Sequence, residues 1–107
     1  MIVDSPETRA EYKNLISQNK SKTIVVKFYA DWCGPCRNIT DLVNELFENL
    51  SGNKMMILVN ADKHRDVASF LKIRQLPTIL SYKDGERDNV IMTSDEKELN
   101  KFVKSVV

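Results

Sequence analysis

Two stretches of the chain are almost continuously apolar, residues 23–30 (TIVVKFYA) and residues 55–59 (MMILV). Runs so rich in β-branched, aromatic and aliphatic residues predict strands buried on both faces, as in the centre of a parallel or mixed sheet. The first run is broken once, by Lys27. Between the two runs, Ile39, Leu42, Val43, Leu46, Phe47 and Leu50 recur at i, i+3, i+4 and i+7, which predicts a helix with its apolar stripe turned to the core. Ser51-Gly52-Asn53 is a stop signal for it.

The flanking segments complete the pattern. Ile2-Val3 suits a short strand. Ser5 as cap, Pro6 in the first turn and Glu7 near the dipole's positive end predict a helix opening there. Tyr12, Leu15 and Ile16 give that helix its stripe, and the polar run 17–22 ends it. Downstream, Val67, Phe70 and Leu71 mark a short helix, with His64 expected as a solvated loop residue in its polar lead-in. Leu76-Pro77-Thr78 precedes a strand at 79–82, and a proline there is tolerated at a strand's first residue or can be cis. Asp84-Gly85 is a hairpin signal, so a strand at about 87–92 should pair antiparallel. Ser94 is expected to open a last helix whose Leu99, Phe102, Val103 and Val106 face the sheet. Strands alternating with helices and ending in a hairpin imply an α/β fold, a mixed central β-sheet flanked by helices on both faces. One domain, residues 1–107, is expected.

Composition narrows the functional classes. Charge is balanced to +1 over 107 residues, which gives no basis for a nucleic acid or an anionic membrane as partner. No window is long and apolar enough to span a bilayer. Asp4, Glu7, Arg9 and Glu11 stand where a signal peptide would need an apolar run. A reducing compartment is therefore expected, where the chain's two cysteines would be kept reduced by a donor.

Those cysteines lie together in Trp32-Cys33-Gly34-Pro35-Cys36, at the junction of the first buried strand and the central helix pattern. A Cys-x-x-Cys pair can be a metal clip, a structural disulfide or a redox dithiol. Zinc fails on ligand count: it wants four N/S ligands, and one clip with a distant His64 does not supply them. A structural disulfide closing so short a loop removes little denatured-state entropy and would be a weak staple. Redox chemistry is favoured, because the Cys33 sulfur would meet the unpaired N–H groups of a helix start, which favour thiolate over thiol. Pro35 fits the first turn, where its missing N–H has no intrahelical partner.

With these elements in place the chain resembles the thioredoxin family over essentially its whole length. Trp32-Cys33-Gly34-Pro35-Cys36 matches the family's active-site sequence, with Phe28, Ala30 and Arg37 fitting around it. Leu76-Pro77-Thr78 matches its cis-proline turn and Lys83-Asp84-Gly85 its hairpin, while Asp66-Val67-Ala68-Ser69 looks like its eukaryotic cytosolic branch. The resemblance implies a protein-disulfide reductase with the thioredoxin fold. Cys33 would attack a substrate disulfide as thiolate, and Cys36 would then resolve the mixed disulfide. Trp32, Gly34, Pro35, Leu76 and Pro77 would form a flat apolar surface on which substrate backbone docks. The implied cofactor is none beyond a redox-active Cys33–Cys36 disulfide. The implied donor is thioredoxin reductase, the setting cytoplasmic, and the protein is expected to be a monomer carrying electrons for cell redox homeostasis.

Three positions depart from the family pattern. The buried acid that the family keeps beneath the resolving cysteine falls at Lys27. The proline that kinks its active-site helix falls at Asp41, so this helix is expected to be straighter. A glycine usual before the last helix is absent near Met92-Thr93-Ser94. Lys27 is open to two readings, an amine that snorkels to water or a cation that tunes the dithiol. Loss of the acid keeps a second function in view, a narrow-partner binding protein whose dithiol turns over poorly.

Overall fold

A computed structural model of the chain describes residues 1–106. Its elements run β1 (Ile2–Asp4), α1 (Arg9–Ser17), β2 (Thr23–Tyr29), α2 (Gly34–Asn38), α3 (Thr40–Glu48), β3 (Lys54–Asn60), α4 (Arg65–Phe70), β4 (Thr78–Lys83), β5 (Glu86–Ile91) and α5 (Glu96–Ser105). The strands form one sheet in the order β1-β3-β2-β4-β5. The β1–β3 and β2–β3 pairs are parallel, while β2–β4 and β4–β5 are antiparallel. The two apolar runs thus lie side by side at the centre, as their composition requires.

Period-two alternation in β2 divides the core in two. Ile24, Val26 and Phe28 join Tyr12 and Ile16 of α1 and Val67 of α4 on one face. Val25 joins Val43 and Phe47 of α3 and Leu99 and Phe102 of α5 on the other. Lys27 shares the parity of Val25 and so projects toward the α3 side.

Several element ends differ from the sequence expectation in the side chain that caps them. The first helix is capped by Thr8 rather than Ser5: Thr8 Oγ1 accepts the Glu11 N–H at 3.1 Å and donates to the Glu11 carboxylate at 2.9 Å. The hydroxyl satisfies one helix-start N–H, and Ser5 is left buried with its own N–H on the Leu58 carbonyl. Asp95, not Ser94, caps α5, accepting the Lys97 N–H. His64 is not a solvated loop residue: it is buried at the start of α4, and its Nδ1 accepts the backbone N–H of Asn60 at 3.0 Å.

The helix after the dithiol is not continuous. It divides at Ile39 into α2 and α3, although Asp41 stands where a kinking proline was expected to be missed. The Thr40 hydroxyl donates to the Cys36 carbonyl four residues back at 3.0 Å, a bond that bends helices. Asp41 then falls in the first turn of α3, where a carboxylate suits the helix dipole. At the hairpin, Asp84 (φ 55°) and Gly85 (φ 80°) both take the left-handed conformation that a two-residue turn between twisted strands requires.

Candidate active site

The Cys33–Cys36 pair sits at the C-terminal end of β2, and the loop that carries it is held on both sides. The Cys33 N–H bonds the Ala30 carbonyl at 3.1 Å, and the Ala61 N–H bonds the Tyr29 carbonyl at 2.8 Å. Arg37 donates from Nη1 to the Asp31 carbonyl at 2.6 Å, closing the turn from its helical side. With the backbone so fixed, the two Cα atoms stand 5.3 Å apart and the sulfurs are bonded as a disulfide.

Cys33 is the N-cap of α2, and its Sγ accepts the Cys36 N–H at 3.2 Å. After reduction the same N–H would meet a thiolate, a stronger acceptor than a thiol. Exchange chemistry favours an exposed thiol, yet the closed disulfide is almost fully buried. In this disulfide Cys33 is 3% and Cys36 2% exposed, because Ala30, Tyr29 and Leu76 pack against them. Both side chains are thus almost fully enclosed while the disulfide is closed.

Around the pair the predicted residues come together unevenly. Trp32 is 69% exposed, with its Nε1 donating to Asp62 Oδ2 at 2.9 Å. Pro35 is exposed, Gly34 and Leu76 half-buried, and Pro77 buried. The Leu76–Pro77 peptide is cis, as the sequence allowed.

Lys27 lies on the inner side of the site. It is 4% exposed, so the snorkelling alternative does not hold, and its Nζ donates to Thr40 Oγ1 at 3.2 Å. Burial pulls the amine's proton affinity below its ordinary value, and the nearby Asp41 carboxylate partly restores it. A crevice of about 150 Å³ lined by Tyr29, Ala30, Asp31, Cys36, Arg37 and Thr40 runs alongside. Sequence reasoning missed Thr40 and Asp62. Thr40 could have been found from its spacing, four residues after Cys36; nothing local marked Asp62, which turns to Trp32 only in the folded chain. Among the described residues no group of three or more His, Cys, Asp or Glu side chains is placed to hold a metal ion.

The family model for thioredoxin matches residues 4–105. The chain belongs to the thioredoxin family. It is 42% identical over 107 residues to thioredoxin Asp f 28 of Aspergillus fumigatus, covering 99% of this chain and 93% of that one. It is 35% identical over 101 residues to the mitochondrial thioredoxin-2 of Schizosaccharomyces pombe, covering 94% of this chain and 74% of the other. Its structure superposes on that of Fasciola hepatica thioredoxin with a TM-score of 0.85, at 31% identity and over the whole of both chains. As a thioredoxin with an adjacent cysteine pair, it is a protein disulfide oxidoreductase working by dithiol–disulfide exchange. The narrow-partner binding reading is not favoured. Thioredoxins use their own redox-active disulfide and need no external cofactor. No helix among the described residues is long and apolar enough to cross a membrane.

Proposed function

We propose that this chain reduces protein disulfides in two steps, with Cys33 as the entering sulfur and Cys36 as the resolving one. The observation that carries this division is the bond from the Cys36 N–H to Cys33 Sγ: the cap sulfur receives an N–H of the helix start, while Cys36 lies inside the helix beneath it. In the first step the Cys33 thiolate attacks one substrate sulfur, and the substrate's S–S electron pair leaves on the other, which takes a proton. In the second, Cys36 loses its proton and attacks Cys33 Sγ. The intramolecular disulfide forms as the mixed disulfide breaks, releasing the reduced substrate.

Trp32, Gly34, Pro35, Leu76 and Pro77 make up the docking surface. The exposed indole held by Asp62 is its main feature, because a pinned aromatic beside the reacting pair costs little entropy on binding. The donor is a thioredoxin reductase and the acceptors are protein disulfides. The protein works as a monomeric electron carrier in the cytoplasm, helping to hold the cell's redox balance. Support for that setting is the cysteine count: the only two cysteines form the reactive pair, which must be re-reduced at each turnover. Insulin reduction coupled to thioredoxin reductase and NADPH tests the proposal. Steady NADPH consumption that needs both cysteines is expected, and none with a competent reductase would overturn it.

A further inference from the structure

We infer that Lys27, held by Thr40, is a positioning residue that sets the redox poise of the Cys33–Cys36 pair and makes this protein a weaker reductant than the same chain with a neutral side chain at position 27. The inference rests on the exchange reading proposed above. A lysine in the middle of a central strand, paired in register with Leu58 and Ile79, occupies a place that an apolar residue would fill more cheaply. Its amine is directed by one bond, to Thr40 Oγ1, and that hydroxyl donates onward to the carbonyl of Cys36. Lysine, threonine and the cysteine-bearing turn thus form a continuous hydrogen-bonded chain.

The charge at its inner end is only partly compensated. No carboxylate among the described residues forms an ion pair with the Lys27 amine. Asp41 acts on it from an exposed position, where water weakens its field. A crevice lined by both Cys36 and Thr40 adjoins this chain of bonds.

The effect on the equilibrium follows from charge. When a dithiol donor reduces the pair, a donor sulfur attacks one sulfur of the disulfide and the S–S electron pair leaves on the other. The donor's second sulfur then displaces the first, and the donor departs as its own disulfide. The protein gains two electrons and carries them as thiolate or, after taking up protons, as thiol. A nearby cation lowers the energy of each thiolate and leaves the uncharged disulfide almost untouched. The reduced form is therefore favoured, and its electrons are given up less readily.

The test equilibrates wild type, Lys27→Met, Lys27→Arg, Thr40→Val and Thr40→Ser with glutathione redox buffers and titrates the thiolate absorbance of each reduced protein. Lys27→Met should shift the equilibrium constant about tenfold toward the disulfide, equivalent to about 30 mV, with thiolate forming at higher pH. Thr40→Val, which removes the amine's acceptor, should shift it the same way by about threefold. Lys27→Arg and Thr40→Ser, which keep the cation and the hydroxyl, should stay near wild type. Equal equilibrium constants and thiolate titrations for wild type and Lys27→Met would overturn the inference. So would an Arg variant displaced as far as the Met variant, which would point to packing rather than charge. Insulin reduction by wild type separates the two readings: its failure removes the exchange proposal, whereas the glutathione equilibrium measures the poise either way.

Discussion

Trp32 and Asp62, thirty positions apart, are joined by a 2.9 Å hydrogen bond from the indole Nε1 to Oδ2, and the indole is thereby pinned while remaining 69% exposed. Asp62 is itself set by Asn60, whose Oδ1 accepts the Asp62 and Lys63 N–H groups at 3.0 and 3.3 Å. The turn after β3 thus orients a residue of the loop after β2. Asp62→Ala should free the ring and raise KM for insulin by about threefold with little change in kcat, in line with one exposed hydrogen bond. Stability should move by less than about 0.5 kcal/mol. Steady-state kinetics of the reductase-coupled assay would check this.

The two cysteines should respond differently to serine. Cys33→Ser should abolish disulfide reduction, and Cys36→Ser should accumulate a mixed disulfide with substrate, since the resolving sulfur is gone. Mass spectrometry after incubation with an oxidised protein substrate distinguishes them. Trapped adduct in the Cys33→Ser protein instead would reverse the assigned roles.

Burial of Lys27 gives stability a pH dependence whose sign can be worked out. The amine binds its proton less tightly in the folded chain than at its ordinary 10.5, chiefly through desolvation. Between the lowered folded value and 10.5 the unfolded chain therefore holds more proton, and stability rises with pH across that window. Lys27→Met lacks this linkage and should be more stable at neutral pH by about 1–3 kcal/mol. The gap should narrow as pH climbs toward 10.5. Urea unfolding of both proteins at pH 7 and at pH 10 is the measurement.

His64 holds a buried backbone donor. His64→Ala would leave the Asn60 N–H without its acceptor and should cost about 1–3 kcal/mol. Because Asn60 also shapes the turn that carries Asp62, the loss should weaken the Trp32 anchor in the same variant. A lower urea midpoint with an unchanged slope, together with raised KM, is the expected pair of results.

Periodicity alone placed β2, β3 and α3 within a residue or two, because long apolar runs and a clean helical stripe leave few other ways to bury that surface. Element ends were less legible. Thr8 and Ser5, or Asp95 and Ser94, offer similar side-chain oxygens, and which one caps depends on where the neighbouring backbone already bonds. The break at Ile39 had no proline to announce it and came from a threonine hydroxyl reaching back to Cys36.

By itself the sequence determined the cysteine spacing, the strand-to-helix junction that carries it and the cation in the middle of β2, all fixed by covalent order and local periodicity. Only the tertiary structure decided that Lys27 donates to Thr40, that Asp62 pins Trp32, that His64 is buried and that both cysteines are enclosed. Each of these pairs a strand or loop residue with a partner on another element. Such partners are chosen by sheet register and helix docking, which minimise the exposed apolar area of the whole chain and are written in no single segment of it.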